Sequence, residues 1–324
     1  MKRRDFLKGA SAAAIGGFSI TKASAQAAAW PNKTVKLILP YAPGGATDLI
    51  GRPFAEKLTQ AFGQTFVVEN RGGASGAIGT EAVMKSAADG YTFLLTPSAP
   101  LTILPILRQV PYDPVKSFMP VARVGDIISG FVIHPSVGVK TFPEMLDYAK
   151  KNPGKLSFGS AGLGTSTHMR VEMLKYRAGV DILHVPYRGS ADSLNDLLAG
   201  SVLMMNEINP LPHVRAGKLI LLNINAAKRS AEWPGIPTLT ELGLPNSDVP
   251  SWYSIQAPAG TPPDIIQKFN AKIIEIGKSD EMQATMTKLS VDLPFQTPVE
   301  MTAFLQDDIK RNTEVIKAAN IKLE

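Results

Sequence analysis

The run TVKLILP, Thr34 to Pro40, leads straight into YAPGGATDLIGR, Tyr41 to Arg52, and this junction constrains the fold more than any other stretch. An apolar, leucine-rich run of that length reads as a buried strand, and the Pro-Gly-Gly turn after it reads as the opening of a helix. A strand that passes through a glycine turn into a helix is the unit of α/β proteins. Gly44 and Gly45 allow a tight turn and close approach of a ligand to the backbone. The first helical turn adds N–H groups without intrahelical partners at the positive end of the helix dipole. A carboxylate or phosphate fits such a place. The alternative is an ordinary strand-to-helix connection in which Thr47 or Asp48 only caps the helix.

The alternation continues along the chain. Strands are expected at 34–39, 65–69, 91–96, 130–134, 182–185, 201–205 and 219–224, and helices at 46–62, 77–88, 142–151, 166–178, 191–199, 263–277 and 298–318. A chain of 324 residues has room for two domains. Glycine-punctuated segments near 121–131 and 249–258 read as crossings between them. The expected organisation is a first domain of residues 26–126 plus 254–324 and an inserted second domain of residues 127–253, each a mostly parallel sheet flanked by helices. Loops from both would surround one cleft, the usual ligand position in such folds. Those loops are APGGATD, NRGGASGAIG, TPSAPLT, FGSAGLGTSTH and the start of HVPYRGSADSLNDLLAG.

The amino terminus reads as a targeting segment. Arg3 and Arg4 precede Phe6, Leu7 and Lys8, a mild Ala/Gly/Ile stretch follows, and Ala23-Ser24-Ala25 offers a small-residue cleavage site. A twin-arginine-type signal peptide over residues 1–25, cleaved near Ala25, would deliver the chain to the periplasm. Its removal takes away a net charge of +4 and lowers the formal +6 of the full sequence to +2, which gives no reason to invoke nucleic acid. The sequence has no cysteine, so thiol catalysis, thiolate metal sites and disulfides are excluded. His134, His168, His184 and His213 fall outside any HExxH pattern, and no metal or other cofactor is expected.

Nine motifs in order resemble the periplasmic receptors of tripartite tricarboxylate transporters, the Bug family. They are YAPGGATDLIGR, VENRGGASGAIG, ADGYTFLL, VPYDPVKSF, NPGKLSFGSAGLGTSTHM, HVPYRGSADSLNDLLAG, LPHVRAGKL, PTLTELG and APAGTP. The resemblance runs from about Trp30 to the C-terminus. It implies a two-lobed Venus-flytrap fold that captures a small carboxylated solute, a dicarboxylate or aromatic acid, and hands it to membrane permease subunits, without catalysis and as a monomer. It also implies site residues. The loop holding Tyr41, Ala42, Gly45, Ala46, Thr47 and Asp48 would grip one carboxylate through backbone N–H groups and bridging waters. Ser98 and Thr102 would line the third loop, and Ser160, Gly164 and Thr165 would face them from the second domain, with His168 one turn into its helix. The family commonly has an Asp after the strand that follows DLLAG; here Glu207 takes that place, with Asn206 before it and a shorter segment after it.

Ordinary roles compete at several of these positions. Asp48 reads better as a cap that stiffens its loop than as a ligand contact, because one carboxylate repels another. His168 reads as a hydrogen-bonded structural residue, Arg188 as an anion contact or an exposed ion pair, and Trp252 and Tyr253 as packing at the second crossing or a wall against an aromatic ligand. Two other functions fit the fold. A ligand-binding sensor or scaffold would share every feature above. A phosphate-ester enzyme would use the glycine turns, yet no GxxxxGK[ST] motif and no GxSxG elbow occurs, and Gly73, Gly76 and Gly79 alone are a weak signal.

Overall fold

A buried central strand sets the first lobe: Val35, Leu37, Ile38 and Leu39 are all withdrawn from solvent, as a parallel strand covered on both faces requires. The computed structural model describes residues 30–226, 228–245, 251–318 and 320–322; the expected signal segment lies outside the described residues. The described strands are β1 (Val35–Leu39), β2 (Phe66–Asn70), β3 (Thr92–Pro97), β4 (Phe118–Ile127), β5 (Val132–Ile133), β6 (Ser157–Ser160), β7 (Leu183–Pro186), β8 (Met204–Met205), β9 (Ile220–Leu221), β10 (Ser251–Pro258) and β11 (Val291–Asp292). They form two sheets, ordered β11-β4-β10-β3-β1-β2 and β7-β6-β8-β5-β9.

Both sheets are mixed, where mostly parallel ones were expected. In the first, β1 pairs in parallel with β2 and β3, whereas β10 runs antiparallel to β3 and β4, and β11 antiparallel to β4. In the second, β6 is parallel to β7 and β8, and β5 is antiparallel to β8 and β9. The reason lies in the two segments read as crossings. Most of each is strand, β4 and β10, which carry the chain out of the first sheet and back along adjacent antiparallel paths. Ser251 lies opposite Ile127 in that ladder.

Each sheet has its own core. Ile38, Leu94, Leu101, Trp252, Met301 and Leu305 pack in the first lobe. Phe131, Phe142, Phe158, Val171 and Met204 pack in the second, with Phe131 and Phe158 edge to face at 5.9 Å. The helix Pro298–Ala318 joins the first lobe: Trp252 Nε1 donates to Asp308 at 2.9 Å. Among the described residues, no helix is long and apolar enough to cross a membrane.

Candidate functional site

The loop after β1 is held from below by one carboxylate. Asp48 accepts from Gly44 N at 2.7 Å, from Asn70 Nδ2 at 2.8 Å, and from Arg52 Nε and Nη2 at 3.2 and 3.1 Å. Asn70 also donates to the Tyr41 carbonyl at 3.0 Å. Gly44 sits at φ +79°, the left-handed region that glycine enters without strain. Asp48 is buried and faces the loop's own amide, so it sets the turn and leaves the N–H groups beyond it to the cleft. Gly72, in the second loop, abuts this turn so closely that a Cβ there would stand 3.2 Å from Ala42 N. The Tyr41 hydroxyl donates to the Ser75 carbonyl at 3.0 Å.

The opposite wall is built from two helix starts of the second lobe. Thr165 caps the helix Ser166–Ala178, accepting from His168 N at 3.3 Å and donating through Oγ1 to the Gly162 carbonyl at 2.6 Å. Gly189 precedes the helix Ser190–Ala199. Tyr41, Gly45, Ala46 and Thr47 of the first lobe, with Thr165, Ser166, Thr167, Gly189 and Ser190 of the second, line one narrow space. Three helix N-termini therefore converge on it: those of Ala46–Phe62, Ser166–Ala178 and Ser190–Ala199. Their unpaired donors and dipoles all favour negative charge there.

The lobes touch across this space. Ser75 Oγ donates to the Leu163 carbonyl, Asn209 Nδ2 donates to the Gly44 carbonyl at 3.4 Å, and a Cβ on Gly45 would lie 3.1 Å from Ser190 Oγ. Glu207 lines the floor together with Tyr253. Burial pushes the Glu207 carboxyl up to about 7, against the pull of Arg170 and of the Ile208 backbone N–H. Burial also raises the Tyr41 and Tyr253 phenols well above their ordinary value. Beside Glu207, Asn206 Oδ1 accepts from Ser129 Oγ at 2.9 Å, Arg170 Nη1 at 2.9 Å and Asn225 Nδ2 at 2.7 Å.

Other expected site residues lie apart from this space. Ser98 lines a different cavity. Thr102 is buried, donates to the Ser98 carbonyl at 3.2 Å and accepts from Asn312 at 3.2 Å. Ser160 Oγ shares a 2.6 Å hydrogen bond with His184 Nε2, and Gly164 N donates to His168 Nδ1 at 3.1 Å. His168 and His184 stack at 4.3 Å and open on an outer pocket with Glu172 and Lys175. Burial holds both imidazoles down at about 4, so both are neutral at pH 7. Arg188 is exposed and lines the outer opening beside Tyr41 and Ala42.

Ser166, Thr167, Gly189 and Ser190 belong to the cleft without having been singled out. A sequence signal existed for them, since each stands in a glycine or hydroxyl turn at an expected helix start. Tyr253, named in the sequence with Trp252, faces the cleft while Trp252 packs on the opposite side of β10. Among the described residues, no group of three metal-ligating side chains occurs.

Comparison with known proteins agrees with the two-lobed fold. A family model described as "Tripartite tricarboxylate transporter family receptor" matches residues 50–321. Protein BugT of Bordetella pertussis is 36% identical over 319 residues, which span 96% of this chain and 98% of that one. Among solved structures, the periplasmic binding protein BugD has a TM-score of 0.86 at 31% identity, covering 91% of this chain and all of that one. An R. palustris protein solved with adipate has a TM-score of 0.86 at 32% identity, covering 90% of this chain and 99% of that one.

Proposed function

From the premise that this chain belongs to the tripartite tricarboxylate transporter receptor family, a family of solute-binding receptors and not of enzymes, we propose that it captures a small carboxylate between its lobes. The class is dicarboxylates or aromatic acids, and the captured solute passes to membrane permease subunits of the same kind of transporter. The single observation that carries this reading is the convergence of three helix N-termini on one interlobe space. Adipate in a relative of the same fold supports a dicarboxylate.

The carboxylate is held by backbone N–H groups of 45–47 and 166–167, with Asp48 and Thr165 setting the two loops. Because both lobes contribute donors, closure adds contacts that an open form lacks, and ligand shifts the population toward it. Glu207 borders the far end of the space and discriminates among ligands by what they present to it. Delivery to the periplasm by a twin-arginine-type signal, with cleavage near Ala25, completes the proposal, as does a monomeric state.

Isothermal titration with adipate, succinate and benzoate tests it, and at least one of the three is expected to bind with unit stoichiometry. In Gly45→Val the added branches meet Ser190 Oγ across the closed gap, and affinity should fall about tenfold to a hundredfold. Unaltered affinity in that variant would remove the loop from the site. No heat with any carboxylate would favour a sensor or scaffold role instead.

A further inference from the structure

A second cavity, of about 400 Å³, lies between the lobes behind Ser166. It shares only that residue with the lining of the cleft just described. Ile103, Trp252 and Val315 supply apolar wall from the first lobe, and Met169 and Met173 from the second. A size of several hundred cubic ångströms, apolar walls and a few polar groups are the ordinary attributes of a small-molecule site.

The charged group in its wall nearest the lobe junction is the half-buried Arg170. Burial lowers the guanidinium from its ordinary range, and its described partners are all uncharged: Nη1 donates to Ser129 Oγ at 3.0 Å and Asn206 Oδ1 at 2.9 Å, and Nη2 to Ser251 Oγ at 3.0 Å. Among the described residues, no carboxylate stands within ion-pair distance of it, and Nε and one Nη2 hydrogen have no acceptor. Withdrawn charges are normally met by an opposite charge, because desolvation is costly otherwise. Glu207 acts on Arg170 only from beyond contact distance.

The other charges around the cavity do not fill that role. Asp308 is committed to Trp252 Nε1 at 2.9 Å and Arg311 at 3.3 Å. Arg311 pairs with Asp307 as well. Arg177 donates to the Pro245 carbonyl, and Glu314 lies exposed at the rim. Among the described residues, half-buried Arg170 and exposed Arg177 bond neutral oxygens around an apolar-walled chamber. The geometry points to a second binding site, for an organic acid with an apolar tail. Its carboxylate accepts from the open edge of Arg170, and its tail lies against Met169, Met173 and Trp252. Since both lobes line the chamber, an occupant favours the closed arrangement and is linked to capture in the cleft.

Titration of the full mature chain with n-octanoate tests this site. One molecule is expected to bind, and in Gly45→Val, which hinders the shared closure, binding should weaken several-fold without being lost. Met173→Trp, which fills the chamber, should abolish it, and Arg170→Gln should weaken it about tenfold to a hundredfold. Thermal melts report whether each variant is folded. No octanoate binding to the wild type would overturn the inference, as would binding that Met173→Trp leaves unchanged. Loss of octanoate binding in Gly45→Val would also overturn it, by assigning the chamber to the cleft.

Discussion

At the scale of single residues, Glu207 is the group whose chemistry depends most on where the fold puts it. Its carboxyl is raised to about 7 by burial, so the folded chain holds a proton that the unfolded chain has already released between about pH 4.5 and 7. A native state that binds more protons loses stability as pH rises. Its contribution to stability therefore falls as pH climbs through this window and levels off above it, and Glu207→Gln should remove that downward component from the profile. Melting temperatures of both proteins from pH 4.5 to 8 would check it; parallel profiles would show that Glu207 titrates normally. His168 and His184 act in the opposite sense. Held at about 4, they stay neutral while the unfolded chain takes up protons below about pH 6.5, so they withdraw stability as pH falls from there toward 4. The loop residues Tyr41 to Thr47 were legible because glycine placement and helix-start chemistry are local. The isolation of Ser160, Gly164 and His168 from the cleft was not, because it depends on the stacking of His168 on His184, residues sixteen apart in sequence.

At the scale of elements, the helices were easier to read than the strands. Helices 46–62, 142–151, 166–178, 263–277 and 298–318 have the bounds that the sequence suggests. Thr141 and Thr165 mark two of the starts as side-chain caps, and Gly63 and Gly179 two of the ends, in the left-handed conformation. Helix 77–88 was expected too long; it ends at Met84, and Lys85 follows as its cap. The strands β4, β6, β10 and β11 went unread. SFGS, Ser157 to Ser160, has one large apolar residue, while Gly125 and Gly130 break the apolar run at β4 and made it resemble a linker. Tertiary pairing overrides such weak local preference. Thr165→Ala should destabilise the chain by about 1 kcal/mol, read from urea unfolding. It should weaken carboxylate binding as well, since the same cap holds the donors of 166–167 toward the cleft. Stability loss without loss of affinity would confine Thr165 to capping.

At the scale of the whole molecule, the two lobes are joined through neighbouring strands, and Arg170 ties both exits together by bonding Ser129 and Ser251. Adjacent crossings of this kind permit a hinge, with opening resisted by the contacts between the lobes. Those contacts include Ser75 to the Leu163 carbonyl and Asn209 to the Gly44 carbonyl. Removing both side chains, as Ser75→Ala with Asn209→Ala, should raise the open population of the unliganded protein. Small-angle scattering would register a larger radius of gyration, and affinity would fall several-fold because ligand must first restore closure. Unchanged scattering and affinity would mean that these two bonds do not hold the lobes together.

The sheet order carries a consequence for biosynthesis. β10 is flanked by β3 and β4, yet it is made only after the entire second lobe has left the ribosome. Until then the nascent chain carries two bare strand borders facing an empty lane, the kind of surface that recruits a foreign strand. A polypeptide terminated before Ser251 would keep that lane open for good, and insoluble inclusions are its natural fate.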